Sequence, residues 1–389
     1  MRKLLCLLLA LCALLSSASA VTYQTSDGRS VMLALGGSFV YARDSEGMLR
    51  VWGDNQFGQL GRGHNTQSFK VLDWRTKQAK LDASRMVDII TGSDYSFMWL
   101  EDGSVWGAGN NSYLPVASRG GSYSTHQPLQ LPAAPAALAC GFGHAMMLTA
   151  DGDVYAWGRN TEYQVHGENR KNTHTPVKVD VQDIVQIACG GKFSLALDAK
   201  GQLWGWGDNK NHQLSPEKEA VIRAPLRIDV GDIDIAAIDA NGDSVTLLDT
   251  AGTLWTWGCN THHQLGYDTA GQTTLSPRAV PLPLPVKYVA AYSSQTYAIL
   301  TDGSLWSWGN NSYGQLGQGF RSSSTEGVLP ARIWDKDVVL VQGGSLFCIA
   351  MLEDGTLLTA GISKFGQQGE GNSKSKYTLA PNGMDLILD

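Results

Sequence analysis

A unit of about fifty residues occurs seven times along the chain, and this repetition constrains the fold more than any other feature. The unit is clearest at positions 303–319, which read GSLWSWGNNSYGQLGQG, where an apolar run ends in Trp308-Gly309 and a turn-rich segment follows. The equivalent glycines are spaced by 49 to 56 residues and are Gly53, Gly109, Gly158, Gly207, Gly258, Gly309 and Gly361. Trp precedes five of them, and Ala108 and Ala360 precede the other two. One small supersecondary unit must therefore build essentially the whole chain after residue 20.

Each copy of the unit is predicted to contain four short antiparallel strands. In the fourth copy, a first strand ends at the small-residue turn Cys189-Gly190-Gly191, and a second strand covers 193–197. A Lys200-Gly201 turn leads to a third strand at 203–206, because glycine supplies the positive φ that a tight hairpin needs. An extended run after the Trp-Gly loop, such as 175–179 of the preceding copy, supplies the outer strand.

Seven units of four strands predict an all-β fold, a seven-bladed β-propeller of four-stranded antiparallel blades in a single domain over residues 21–389. A linear solenoid is the alternative, but it requires polar capping repeats at its ends. Neither the first nor the last copy has a capping sequence.

The tryptophans of the third strand are predicted to pack between neighbouring blades. In the fourth copy, the two-residue period of a strand places Trp204 and Trp206 on one face and glycines on the other. Large rings on one blade then meet small residues on the next blade. A ring of aromatic side chains that binds a sugar is the alternative interpretation.

The unit GxLWxWGxNxxGQLGxG resembles the repeat of the regulator of chromosome condensation family, over roughly residues 30 to 389. The second copy departs most, with Tyr113-Leu114-Pro115-Val116 in place of GQLG. The resemblance implies a seven-bladed propeller. It also implies a protein-binding function, because the family's namesake is a nuclear exchange factor for a small GTPase that docks on chromatin. An exported bacterial relative, β-lactamase inhibitor protein II, binds enzymes across one face.

The C-terminal segment is predicted to close the ring. The first copy lacks an outer strand upstream, and residues 377–389 have the composition of the missing piece. We expect this segment to pair beside the strands of the first repeat.

The first 20 residues are typical of a signal peptide. Arg2 and Lys3 precede an apolar core at 4–15, and Ala18-Ser19-Ala20 is a small-residue cleavage signal. Removing the peptide takes away two positive charges and no acidic residue, so the formal charge changes from −6 to −8. This acidic, dispersed balance argues against a nucleic-acid surface, which needs clustered Lys and Arg, so no nucleic-acid partner is predicted. The sequence predicts a monomer that is secreted or located in the periplasm or cell envelope, with no integral membrane segment after cleavage.

Four cysteines remain after cleavage, namely Cys140, Cys189, Cys259 and Cys348. Cys140 and Cys189 occupy the same place in successive repeats, and packed sheets stand about 10 Å apart. A disulfide needs Cα atoms within about 7 Å. We therefore expect free, mostly buried thiols, and disulfide pairing in an exported protein is the alternative.

No catalytic motif stands out, so the sequence predicts a protein that is not an enzyme, with no catalytic residue, no metal site and no cofactor. The adjacent pair His262-His263 cannot easily share a metal without a third ligand nearby. The stretch 239–243, DANGD, faintly resembles a calcium loop but lacks the required glycine and glutamate, so we interpret it as a polar turn.

The best candidate site is positional. The residue four places after each repeat glycine is aromatic or histidine in five copies: Phe57, Tyr113, His262, Tyr313 and Phe365, against Glu162 and Asn211 in the other two. These side chains either contact a partner protein on one rim of the ring or cover the edge of their own blade. The sequence favours an exported, non-enzymatic, protein-binding scaffold that presents these loops. The alternatives are an inhibitor of a secreted enzyme and a guanine-nucleotide exchange factor for a small GTPase.

Overall fold

The seven repeats form seven antiparallel sheets arranged in a ring, as the sequence predicts. The computed structural model describes residues 20–388, apart from 76, 77, 79, 80, 114, 218, 324 and 325. The predicted signal peptide therefore lies almost wholly outside the described residues. In the described part of the chain, the only helical segment is a 3-10 turn at Ala83–Arg85, and no helix could cross a membrane.

Blades one to four contain the following strands. Blade one has β1 (Val21–Gln24), β2 (Ser30–Leu35), β3 (Phe39–Arg43), β4 (Leu49–Gly53) and β5 (Ser68–Asp73). Blade two has β6 (Met86–Thr91), β7 (Tyr95–Leu100), β8 (Val105–Asn110) and β9 (Ser122–Pro128). Blade three has β10 (Ala137–Cys140), β11 (His144–Leu148), β12 (Val154–Gly158) and β13 (Thr173–Lys178). Blade four has β14 (Ile184–Cys189), β15 (Phe193–Asp198), β16 (Leu203–Asp208) and β17 (Val221–Ile228).

Blades five to seven repeat the same order. Blade five has β18 (Ile235–Asn241), β19 (Ser244–Asp249), β20 (Leu254–Gly258) and β21 (Thr274–Ala279). Blade six has β22 (Val286–Tyr292), β23 (Gln295–Leu300), β24 (Leu305–Asn310) and β25 (Gly327–Trp334). Blade seven has β26 (Val338–Gly343), β27 (Phe347–Leu352), β28 (Thr356–Gly361) and β29 (Lys376–Asp385). The first strand of the repeat contacts the first strand of each neighbouring blade all the way round, and β26 contacts β2.

The repeat glycine is required by the geometry at the end of the third strand. Gly207 has a φ of 108°, and a Cβ on it would lie 2.6 Å from the carbonyl oxygen of Lys192. The other six repeat glycines also have positive φ and the same close approach to the residue before the second strand. A side chain is excluded there by both strain and space, which explains why this glycine appears in every copy.

The five tryptophans that precede a repeat glycine fill the spaces between blades, as predicted, whereas Trp204 and its equivalents Trp255 and Trp306 are only partly buried. All five that precede a repeat glycine are at most 1% exposed. Each indole Nε1 donates a hydrogen bond to a backbone carbonyl in the loop of the preceding blade, as Trp206 does to Gln164 at 2.9 Å. Trp52 donates to Gln367 at 2.8 Å, which joins blade one to blade seven. The tryptophans are therefore structural, because each one both packs and bonds across an interface.

The two interfaces that lack this tryptophan use a tyrosine from the other side. Where blade two has Ala108, Tyr41 of blade one donates its hydroxyl to the Gln59 carbonyl at 3.0 Å. Tyr297 of blade six does the same to Gln315, at 2.8 Å, where blade seven has Ala360. Elsewhere this second-strand position holds Phe97, Met146, Leu195, Thr246 and Ile349. Tyrosine thus appears only where the following blade leaves the space empty.

The C-terminal strand closes blade seven, but it does not pair as the sequence suggested. Residues 376–385 form β29, which pairs with β28 of the seventh repeat, and the first blade takes its outer strand from β5 downstream. The expectation that 377–389 pairs beside the first repeat's strands is therefore wrong. Every repeat supplies its strands in order from the centre outward, so the seventh repeat needs this segment itself. The structure is still consistent with ring closure by the C-terminal segment, because the Ser45 N–H of blade one donates a hydrogen bond to the Leu386 carbonyl at 2.8 Å.

An extra strand, not foreseen from the sequence, lies at the inner edge of blade one. β1 pairs with β2, the innermost strand of the regular repeat, and also contacts β26 of blade seven. The residue before β1, Ala20, donates its N–H to the Ile89 carbonyl of blade two at 2.8 Å. The start of the described chain therefore lies at the centre of the ring.

The four cysteines are free and buried, which confirms the thiol prediction. Burial raises the pKa of the Cys348 thiol to about 12 and raises that of Cys140 further. Both therefore stay protonated at neutral pH, as buried structural cysteines do.

Candidate functional site: the loop face of the ring

One face of the ring carries both sets of loops that vary between blades. The end of the third strand pairs with the start of the second, as Gly309 does with Gln295. The turn between first and second strands and the loop after the third strand therefore lie at the same end of every blade. We call this end of the ring the loop face.

In most blades, two buried amides of the repeat, an asparagine and a glutamine, hold the long loop on this face. In blade six, the Asn311 side-chain oxygen accepts from the Leu316 N–H at 3.1 Å, and the Gln315 side-chain oxygen accepts from the Tyr313 N–H at 2.9 Å. Both amides are fully buried. The asparagine bond recurs in blades one to five and the glutamine bond in blades one, three, four, five and seven. The asparagine and the glutamine of the repeat therefore stabilise the loop from inside and do not face a ligand.

The five predicted contact residues all lie on these loops, each on a different blade. Tyr313 is exposed, with 44% of its surface accessible, whereas Phe57, Tyr113, His262 and Phe365 are half-buried. Because one residue stands on each blade, the five are spread round the rim rather than gathered into one patch. Only Tyr313 projects freely, and the other four combine packing with partial exposure.

The loop backbone packs against the outer strand of the next blade. Gly58 approaches Ser124 of β9, and Gly366 approaches Phe69 of β5. In blade five, the His262 backbone lies against Gly327 of β25. In blade six, Gly314 approaches Tyr377 of β29 in the same way, although Tyr313 itself stays exposed.

Tyr313 belongs to an open groove at the outer edge of blades six and seven. The groove is about 670 Å³ and is lined by Ser312, Tyr313, Arg321, Ser322, Ser323 and Tyr377. The Arg321 guanidinium lies 5.0 Å from the centre of the Tyr377 ring, and Tyr377 is 40% exposed. Phe320, next to Arg321 in the chain, is 47% exposed. We call this region the edge groove.

Sequence reasoning missed three of these residues. Arg321 and Phe320 follow the GQLGQG segment, and Tyr377 is contributed by the outer strand of the next blade. The available signal was Phe320, an aromatic residue directly after the turn where other copies have polar residues. The pairing of Tyr313 with Tyr377 had no sequence signal, because it depends on contact between blades.

Tyr113 lines a second depression, near the centre of the loop face. This central cleft is about 470 Å³ and also includes Asp94, Phe142, Arg159 and Tyr292. The Arg159 guanidinium lies 4.7 Å from the centre of the Tyr113 ring. Two of the predicted loop residues, Tyr113 and Tyr313, therefore line concave surfaces on the same face.

The remaining polar stretches behave as structural elements. The 239–243 segment forms the end of β18 and the turn into β19, with Asn241 opposite Ser244, so the polar-turn interpretation is confirmed. Among residues 20–388, outside the omitted positions, no group of three or more His, Cys, Asp or Glu could hold a metal ion.

Comparisons with known proteins agree with this architecture. A family model described as RCC1-like domain matches residues 119–386. The human E3 ubiquitin-protein ligase HERC2 is 27% identical over 338 residues, which cover 84% of this chain but only 6% of HERC2. The ultraviolet-B receptor UVR8 of Arabidopsis thaliana is 26% identical over 361 residues, which cover 90% of this chain and 69% of UVR8.

A solved structure shows the same fold. Prp20p from Saccharomyces cerevisiae, which was studied for its binding to Gsp1p and histones, superposes with a TM-score of 0.75 at 20% identity, covering 90% of this chain and 87% of Prp20p. At this identity the likeness establishes the fold alone. The family model covers well over half of the chain, and the seven blades have the expected repeat. The chain therefore belongs to the RCC1-like domain family.

Proposed function

We propose that this protein is an exported, non-catalytic binding module that docks a partner protein on its loop face. The observation that carries the proposal is the edge groove, where Tyr313, Tyr377 and Arg321 are exposed together on a rigid rim. Tyr and Arg are enriched among the residues that dominate binding energy at protein interfaces.

The groove is also pre-organised, which favours binding over mere exposure. The Tyr313 N–H is bonded to buried Gln315, and Arg321 stacks on Tyr377. Side chains that are already ordered lose less conformational entropy when a partner covers them. The groove can therefore contribute binding energy with little rearrangement.

The relatives support a protein-binding use. Prp20p, whose binding to Gsp1p and histones was studied, has a propeller of this kind, and HERC2 contains a region similar to this chain. This chain spans only a small fraction of HERC2, so the ligase activity of that protein is not carried over. A binding propeller is the part that they share with this chain.

The export part of the proposal is supported by the N-terminal pattern, with Arg2 and Lys3 before an apolar core and a small-residue site at 18–20. Intact-mass measurement of the protein isolated from its own cells tests it. A mass that matches a chain starting at Val21 supports export. A full-length mass in the cell interior overturns it and revives the exchange-factor alternative.

The binding part is tested by placing a photo-crosslinking amino acid at position 313 in the producing cells. We expect one discrete protein adduct, which Arg321→Glu abolishes while the melting temperature is unchanged. Leu275→Ala is the control. Leu275 lies on the outer strand of blade five, away from the edge groove, and its exposed fraction of 49% is similar to the 44% of Tyr313. An adduct that survives Arg321→Glu, or that Leu275→Ala removes equally, would show that the edge groove is not the docking site.

A further inference from the structure

The seven blades provide an internal standard for what the fold requires on the loop face. Each blade faces the same neighbours in the same geometry, so a position that packing dictates should hold similar residues in all seven copies. A large, exposed or charged residue in one copy alone is not needed for packing. Such departures therefore mark positions that are free to serve binding.

Four departures from this standard converge on the central cleft. In the turn after the first strand, one position is Gly37, Ser93, Gly191, Gly242, Ser293 or Ser345 in six blades but Phe142 in blade three. The position before it is Gly36, Gly92, Gly141, Gly190, Asn241 or Gly344, but Tyr292 in blade six. The residue directly after the repeat glycine is Arg159 in blade three, whereas in the other six blades it is Asp54, Asn110, Asp208, Cys259, Asn310 or Ile362. The loop glutamine of six blades is replaced in blade two by Pro115.

The structure explains how blade six accommodates Tyr292. A Cβ on Gly190 would run into the ring of Phe193, the first residue of the second strand. Blade six has Gln295 in place of that aromatic ring, so a side chain fits at position 292. Tyr292 then meets Phe142, from blade three, with ring centres 6.4 Å apart. Two aromatic rings from blades on different sides of the ring thus form the apolar floor of the cleft, and Phe142 is 38% exposed.

The cleft also presents a cation with a fixed orientation. The Arg159 guanidinium stacks on Tyr113, and its Nε donates to the Thr161 hydroxyl at 2.9 Å. None of the ion pairs among the described residues involves Arg159. The terminal nitrogens of a stacked guanidinium form a planar fork that matches a carboxylate.

A carboxylate of the protein lies in the same cleft but is engaged elsewhere. The Asp94 side chain accepts from the Ser93 hydroxyl at 3.1 Å and lies near Asn110. Burial raises the pKa of Asp94, and the nearby Asp54 raises it further. The Asn110 side-chain oxygen already accepts from the Ser112 N–H at 2.9 Å and from its hydroxyl at 2.7 Å, so Asp94 is the acceptor that an occupant's N–H group can reach, while the Arg159 fork stays available for an anion.

We propose that the central cleft binds the C-terminal residue of a partner protein. The terminal carboxylate pairs with Arg159, the apolar side chain lies on Phe142 and Tyr292, and a preceding N–H group of the peptide faces Asp94. Capture of a chain terminus is an established mode of peptide recognition. The inference deepens the proposed function and rests on it for the source of the peptide.

Synthetic peptides test the inference directly. Binding of Ala-Ala-Phe with a free carboxylate is measured by isothermal titration calorimetry against the same peptide with a C-terminal amide. We expect the amide to bind at least about tenfold more weakly, because a charge-assisted pair with arginine is lost. Equal binding of acid and amide would overturn the assignment, and so would binding of free phenylalanine as tight as that of the tripeptide.

Variants locate the binding and separate it from the edge groove. Arg159→Gln should weaken the acid peptide about tenfold and leave the amide unchanged, whereas Lys192→Gln, a matched charge removal on the same face, should change neither. Phe142→Ser restores the small residue of other blades, so it should keep the fold and weaken both peptides. Wild-type affinity in Arg159→Gln or Phe142→Ser would refute the site. If the crosslink at 313 persists while no peptide binds, the proposed function stands and only this inference fails.

Discussion

The exchange of tryptophan for tyrosine at two blade interfaces makes a quantitative prediction. Tyr41 is 1% exposed and fills the space that a tryptophan at position 108 would occupy. Tyr41→Leu removes a buried ring and a hydrogen bond to the Gln59 carbonyl, and should cost about 3 kcal/mol of unfolding free energy. Ala108→Trp forces an indole into the space that Tyr41 already fills, and should cost about 3 kcal/mol through overpacking.

The double variant Tyr41→Leu/Ala108→Trp should recover most of this loss. It recreates the interface between blades four and five, where Leu195 and Trp257 lie in one buried cluster and Trp257 donates to the Gln213 carbonyl at 3.0 Å. We expect a total cost below about 2 kcal/mol against an additive sum of about 6 kcal/mol, which is a large coupling energy for a contacting pair.

Guanidinium unfolding followed by tryptophan fluorescence and by circular dichroism measures the three free energies. The matched control is Tyr41→Leu/Ala360→Trp, which combines residues from two different interfaces. Its costs should add within about 0.5 kcal/mol, because separated sites are independent. If the cognate pair also adds within that margin, the idea that one ring replaces the other is wrong.

Three further predictions concern stability. Burial lowers the pKa of His144 to about 3, so below pH 6.5 the unfolded chain binds a proton that the folded chain does not bind, and the free energy of unfolding falls as the pH falls. His144→Phe should reduce this loss of stability between pH 6.5 and 4.5 by about 2 kcal/mol, measured by urea unfolding at both pH values. Gly207→Ala should lower the melting temperature far more than Gly47→Ala, since a Cβ at Gly47 meets nothing within 4 Å, and equal effects would contradict the steric account. Deleting 377–389 removes the buried Leu379 and Leu386 and leaves β28 without its outer partner strand, so the melting temperature should drop by about 10 °C or more, and an unchanged value would disprove closure by this strand.

Much of the architecture could be predicted because its signals are local. The hairpin glycines, the two-residue alternation and the Trp-Gly ending each lie within a few residues, and seven copies reinforce them. The role of Trp206 between blades followed from its strand face alone. The pairing of 377–389 could not be predicted in the same way, because the sequence of an outer strand does not specify the strand with which it pairs. Only the hydrogen bonds of β28 decide between the first and the seventh blade.

The candidate site was only partly predictable for a related reason. Aligning the copies identified Tyr313 and its equivalents as one structural position, but it could not say which of them is exposed. Exposure depends on the three-dimensional surroundings of each side chain, which leave Tyr313 44% accessible and Phe57 half-buried. The edge groove needs Tyr377 from another repeat, and no pattern within one repeat contains that information.

The repeat in the sequence by itself determined the fold of the blade, the number of blades and the tryptophan packing between them. These features depend on short-range periodicity and on steric demands that are identical in every copy. The tertiary structure alone decided which departures from the repeat matter. Phe142, Arg159 and Tyr292 are isolated substitutions along the chain, separated by as many as 150 residues. Closing the ring brings blades two, three and six to one centre, and only this long-range contact makes them a single cleft.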